Sequence, residues 1–145
     1  MYIEKAFAVS EELYEALQRL IPQLGFHKIA PTWDELDALI KSESSTLLIA
    51  RYPHEEGEIK GILNLTVYRV PTGLRSIVED VVVDESARRL GIGEALLRYA
   101  IDLAREAGAS GIALTSNPRR VAANQLYQAL GFKRRETNAY IYELK

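Results

Sequence analysis

One segment combines three features that favour an anion: Val83-Asp84-Glu85-Ser86-Ala87-Arg88-Arg89-Leu90-Gly91-Ile92-Gly93-Glu94. It joins an apolar run that reads as a strand to a run with helical apolar spacing. The first amides of a helix have no partner inside the helix, and its macrodipole is positive there. Gly91 and Gly93 clear side chains from the approach, and Arg88 and Arg89 stand just ahead of them. Unpaired amides, open space and cations together suit a pyrophosphate. The plainer alternative is a helix that merely begins with glycines, its arginines in solvent. Other phosphate fingerprints do not match: the third glycine of a dinucleotide fold is missing, and no Gly-Lys-Ser/Thr occurs.

Two carboxylates also stand out. Glu79 and Asp80 interrupt Ile77-Val78 and Val81-Val82-Val83 in a strand that otherwise reads as buried, where unpaired charge is costly. Alternation sends them to opposite faces, and Glu79 shares the parity of Val81 provided no bulge intervenes. Asp80 fits a structural role, accepting backbone hydrogen bonds, and both could form a satisfied structural pair.

Composition removes other chemistries. The chain has no cysteine, so disulfides, thiolate metal sites and Cys nucleophiles are excluded. His27 and His54 lie far apart and do not suggest a His-built zinc site. A net charge of −2 argues against strong attraction to nucleic acid or anionic membrane. No apolar run approaches the ~20 residues that cross a bilayer, and the start lacks a signal-peptide pattern. The expectation is a cytoplasmic single domain over residues 1–145, with neither nucleic acid nor membrane as partner.

The elements that must position these residues follow from pattern. Residues 2–8 read as a strand, and Ser10 N-caps a helix with Leu13, Leu17, Leu20 and Ile21 on one face. Phe26 and Ile29 mark 25–31 as a packed loop, and Trp33 reads as a packing residue. Thr32 and Glu35 form a capping box ahead of Leu36, Leu39 and Ile40. Strands are expected at 46–52 and 58–69 as a hairpin, and at 74–83. A helix over 91–107 carries Ile92, Ala95, Leu96, Tyr99, Ala100, Leu103 and Ala104, and Gly108 stops it. A strand at 111–116 completes a β-α-β unit, so its two strands should run parallel. Asn117-Pro118 then opens a helix burying Ala123, Leu126, Tyr127 and Leu130 up to Gly131. Strands at about 132–136 and 139–144 close the chain. The fold class is α/β (α+β): a mixed, mostly antiparallel sheet with one parallel unit and helices on both faces.

Two motifs carry a family resemblance. Arg88-Arg89-Leu90-Gly91-Ile92-Gly93 resembles the Arg/Gln-x-x-Gly-x-Gly/Ala signature of the GNAT superfamily of acetyl-CoA-dependent N-acetyltransferases. Ala123-Asn124-Gln125-Leu126-Tyr127-Gln128-Ala129-Leu130-Gly131-Phe132 is similar to its Ala-x-x-Leu-Tyr-x-x-x-Gly-Phe, and the order of elements agrees over essentially the whole chain. The resemblance implies that the pantetheine arm of acetyl-CoA enters between splayed parallel strands and pairs with Val81, Val82 and Val83. It implies that the pyrophosphate sits on amides of residues 89–94, beside Arg88, Arg89, Leu90, Gly91, Ile92, Gly93 and Glu94. Asn124 and Tyr127, three apart, share a helix face that the family turns toward the cosubstrate. Tyr127 is implied as the proton donor to the leaving thiolate, and Glu79 as the base, directly or through water; core packing is the plainer role for Tyr127. Many members carry Asn where this chain has Arg120, with Asn117 slightly earlier. The acceptor implied is a primary amine of a small molecule or amino acid derivative. Protein N-terminal or lysine acetylation and a non-catalytic acyl-CoA-binding module are the rival readings. A homodimer is implied by analogy only.

Overall fold

A computed structural model describes residues 1–144, which divide into two compact units, Met1–Thr115 and Ser116 onward. The first unit holds five strands in the order β1 (Tyr2–Lys5), β2 (Ser45–Tyr52), β3 (Glu58–Val70), β4 (Gly73–Val83) and β5 (Ile112–Ala113). Pairs β1–β2, β2–β3 and β3–β4 are antiparallel, while β4 and β5 are parallel, as the β-α-β reading requires. Its helices are α1 (Glu11–Leu20), α2 (Trp33–Lys41) and α3 (Ile92–Glu106), with short 3-10 turns at Ile21–Leu24 and Glu85–Ala87.

Strand alternation divides the core between two faces of the sheet. Leu47, Ile49, Ile62 and Val82 join Leu13, Ala16, Leu17 and Leu20 of α1 and Leu36 of α2 in one buried cluster. The alternate residues Leu48, Ala50, Gly61 and Leu63 face α3, which buries Ile92, Leu96, Leu97, Ala100 and Ala104. Gly61 lets that helix come close: a Cβ there would lie 2.9 Å from Ile92 Cγ2 and 3.2 Å from Leu96 Cδ1. Each fully buried Leu or Ile contributes about 1.5–3 kcal/mol relative to exposure, so this double-sided core holds the sheet that carries the site.

The second unit contains α4 (Val121–Ala129), which ends at Gly131 in the left-handed region with φ +104°. The helix begins later than Asn117-Pro118 suggested. The Asn117 carboxamide oxygen accepts from the Arg119 amide at 2.9 Å and the Asn117 carbonyl from the Arg120 amide at 3.0 Å, a closed turn before the helix proper.

Three further expectations are corrected. Residues 132–144 form no strand, and nearly all of them are exposed. A strand persists only where its backbone groups meet a partner ladder, and none is offered to them among the described residues. For the same reason the expected strand at 111–116 shrinks to Ile112–Ala113. The loop at 25–31 is not packed: Phe26 is 87% and Ile29 91% exposed, with the His27 ring tilted against Phe26. Among the described residues, no helix is long and apolar enough to cross a membrane.

Candidate functional site

Strand β4 is the spine of the site. Its parallel pairing with β5 covers only Ser76–Ile112 and Ile77–Ala113, yet the strand runs on to Val83. Ser76 is buried and donates its hydroxyl to the Gly111 carbonyl at 2.7 Å, and the Ser110 amide donates to Leu74 O at 2.8 Å. The two strands are thus pinned at one end, while residues 78–83 have no β5 partner. An extended chain could hydrogen-bond along that edge.

The antiparallel side of β4 carries a bulge. Ile62 pairs with Val82 and Asn64 with Glu79, so Asp80 and Val81 oppose the single residue Leu63. Asp80 takes φ +53°, a left-handed conformation that Asp tolerates better than most residues. The extra residue inverts alternation: Val78, paired with Leu65, lies on the α3 side, and Val82 on the α1/α2 side. Glu79 therefore shares a face with Val82 and not with Val81, correcting the parity expected from sequence. Both Glu79 and Asp80 are exposed and neither is ion-paired among the described residues, so the strand does not bury these charges. Opposite Glu79, the buried Asn64 Oδ1 has no hydrogen-bond partner among the described residues, a feature invisible to pattern reading.

Beyond Val83 the chain makes a tight, heavily bonded turn. Asp84 is 5% exposed; its carboxylate accepts from the Ser86 amide and hydroxyl, each at 3.0 Å, and from Arg19 Nε at 3.1 Å. Burial alone would raise its pKa, but the Ser86 hydrogen bonds and the Arg19 guanidinium hold it below the usual carboxylate range. Arg88 donates Nε to the Val83 carbonyl at 3.4 Å. Arg89, at φ +65°, and Gly91, at φ +83°, both take left-handed backbone, and α3 begins at Ile92.

Gly91 supplies no capping side chain, and the first bond of α3 runs from the Ala95 amide to the Gly91 carbonyl. The amides of residues 88–94 have no acceptor among the described residues. Arg88, Arg89, Leu90, Gly91 and Glu94 are exposed, Gly93 is half-buried, and Ile92 is anchored in the core. The first unit thus brings Glu79, Val81, Val82, Val83 and residues 88–94 onto one continuous strand–turn–helix. The missed contributors are Asp84, whose buried carboxylate its Asp-x-Ser spacing could have signalled as a turn cap, and Arg19, which no local signal marks.

The second unit holds Asn124 and Tyr127. Asn124 donates its carboxamide to Asn117 O at 3.0 Å and Arg120 O at 2.8 Å, bracing the start of α4. Arg120 itself is exposed and caps nothing with its side chain. Tyr127 is buried, its ring edge-on to Phe132 with centroids 6.0 Å apart.

The comparisons bear on this architecture. Residues 10–132 match the model of the acetyltransferase (GNAT) family. Over 52 residues the chain is 40% identical to N-acetyltransferase 8 of Homo sapiens, a match covering 36% of this chain and 23% of that protein. The chain therefore spans about a quarter of the length of the curated relative it matches. A structure titled a transcriptional regulator from Bacillus halodurans C-125 superposes with TM-score 0.79 at 25% identity, covering 98% of this chain and all of that one. An aminoglycoside acetyltransferase from an uncultured soil metagenomic sample, in complex with sisomicin, gives TM-score 0.82 at 20% identity over 99% of this chain and 96% of that one. With the family model covering most of its length, the chain belongs to the acetyltransferase (GNAT) family.

Proposed function

We propose that residues 1–145 act as one N-acetyltransferase domain that moves the acetyl group of acetyl-CoA to a primary amine of a small molecule or amino acid derivative. Members of the family use acyl-CoA, and membership supports transferase activity. The observation that carries the reading is the continuity of an unpaired β4 edge, residues 78–83, with a turn whose amides from 88 to 94 lack acceptors. An extended arm ending in a diphosphate is the kind of ligand such a surface accepts. Arg88 and Arg89 add positive charge where that diphosphate would lie.

The chemistry makes three demands. An alkyl amine of pKa ~10.4 must lose a proton before or during attack. Glu79, exposed on the sheet edge, is the proposed base, acting directly or through water. Charge developing on the thioester oxygen needs donors, and the bulge turns the backbone at Val81 out of the regular ladder, supporting its amide in that role. The thiolate, with pKa around ~8.5, leaves readily, and Tyr127 is proposed to protonate it. Attack is direct, without an acyl-enzyme. A small-molecule acceptor is favoured by analogy with the sisomicin-bound neighbour.

Thiol release from acetyl-CoA, screened with small amines, amino acids, polyamines, aminoglycosides and short peptides, tests the reading. Release with a small amine is expected; a preference for peptides would move it to protein acetylation, and no release with any acceptor would overturn it.

A further inference from the structure

The turn between β4 and α3 is held from outside itself. Asp84 donates its amide to the Lys60 carbonyl of β3 at 2.7 Å, and the Glu85 amide donates to Gln23 Oε1 at 2.9 Å. Lys60 Nζ donates to Ser86 Oγ at 3.3 Å. Arg19 of α1 donates Nε to the Asp84 carboxylate and Nη2 to the Ile59 carbonyl at 2.7 Å. Two donors of one planar guanidinium thus tie a buried carboxylate to the β3 backbone, a geometry a lysine ammonium cannot reproduce. Downstream of this clamp, Arg89 sits in left-handed backbone that must be enforced by its surroundings, whereas Gly91 adopts the same region freely.

We infer that Asp84, clamped by Arg19, is a positioning residue for acyl-CoA: it fixes the turn so that the amides of residues 88–94 converge on one diphosphate. The inference rests on the acetyltransferase reading. Pre-aimed amides bind an anion without reorganising, whereas a loosened turn must order them at the moment of binding.

Charge and geometry predict opposite signs, which makes the test sharp. Asp84→Asn deletes a negative charge near the anion site, so Coulomb's law alone predicts tighter binding of CoA. Positioning predicts weaker binding, because the new amide group turns a donor toward Arg19 and the clamp opens. Calorimetric titration with CoA should show Kd raised about tenfold to a hundredfold, on the scale that small misplacements cost. Arg19→Lys keeps the charge and should still weaken binding severalfold. In steady state the KM for acetyl-CoA rises with the loss, while kcat at saturating acetyl-CoA stays near wild type. Circular dichroism and the unfolding midpoint check that each variant is folded; if Asp84→Asn does not fold, Arg19→Lys carries the test alone. Unchanged or tighter CoA binding by a folded variant, or full rescue by Arg19→Lys, overturns the inference while leaving the reading intact. Absence of heat with the wild-type protein overturns both.

Discussion

At the start of α1 the Ser10 hydroxyl accepts from the Leu13 amide at 3.1 Å, and at α2 Thr32 and Glu35 exchange bonds of 3.2 and 2.9 Å. Helix α3 has no such side chain: Gly91 stands at its capping position, and Arg120 at that of α4, again without a side-chain cap. The first pair of helices each cap a first-turn amide with a side chain and pack on the sheet. Of the second pair, which carry the family's two motifs, only α3 leaves its first amides open: ahead of α4 the amides of Arg119 and Arg120 are taken by Asn117 and that of Val121 by Arg119. A capped start contributes stability; an uncapped start keeps donors for a ligand.

The largest expected effect tests whether α4, whose leading amides are already bonded, contributes chemistry instead. Tyr127→Phe keeps the ring packed on Phe132, so the unfolding midpoint should hold while turnover falls by ~10²–10⁴ in thiol-release assays. Unchanged turnover would make Tyr127 a core residue and remove α4 from the mechanism.

Next, Gly91→Val forces a β-branched residue into the left-handed region, displacing the amides of α3. CoA affinity should fall about a hundredfold by calorimetry, with stability lowered by roughly 1–2 kcal/mol. Loss of stability with affinity intact would mean that the open helix start binds nothing.

Glu79→Gln should flatten the rising limb of the pH–rate profile and lower turnover by roughly ten- to a hundredfold at neutral pH. A profile superimposable on wild type would assign proton removal elsewhere.

At the capped end of the comparison, Thr32→Ala removes half of the capping box and should cost ~1 kcal/mol, a few degrees in Tm, with kcat unchanged. A loss of turnover there would break the division between stabilising and binding helix starts.

Acidification acts through the clamp. The Asp84 pKa is depressed below its ordinary value of 3.8, so its stabilising contribution is present above that value and is lost as pH falls through the lower folded one. Urea midpoints measured down to that range should fall more steeply for wild type than for Asp84→Asn.

Local features were legible to the extent that their causes were local. Ser10, the Thr32/Glu35 box, the stop at Gly108 and the α3 stripe all follow from hydrogen bonds or spacing within one turn or two. Leu97, outside the expected stripe, is fully buried all the same, because the sheet accepts a wider face of α3 than the periodicity alone marked. The anion-favouring turn was visible because glycine, arginine and strand-to-helix context lie within twelve consecutive residues, 83–94. Phe26 and Ile29 misled, since an apolar residue in a loop is buried only if another element comes to cover it.

By itself the sequence determined the β-α-β order, the side-chain caps of α1 and α2 and the glycine-arginine turn, because each rests on contacts between neighbours along the chain. Only the tertiary structure decided the bulge that puts Glu79 on the face of Val82, the early end of β5, the absence of strands over 132–144 and the clamp of Arg19 on Asp84. Each of those depends on which distant part of the chain lies alongside, and ladder register and ion pairing across 65 residues leave no local trace.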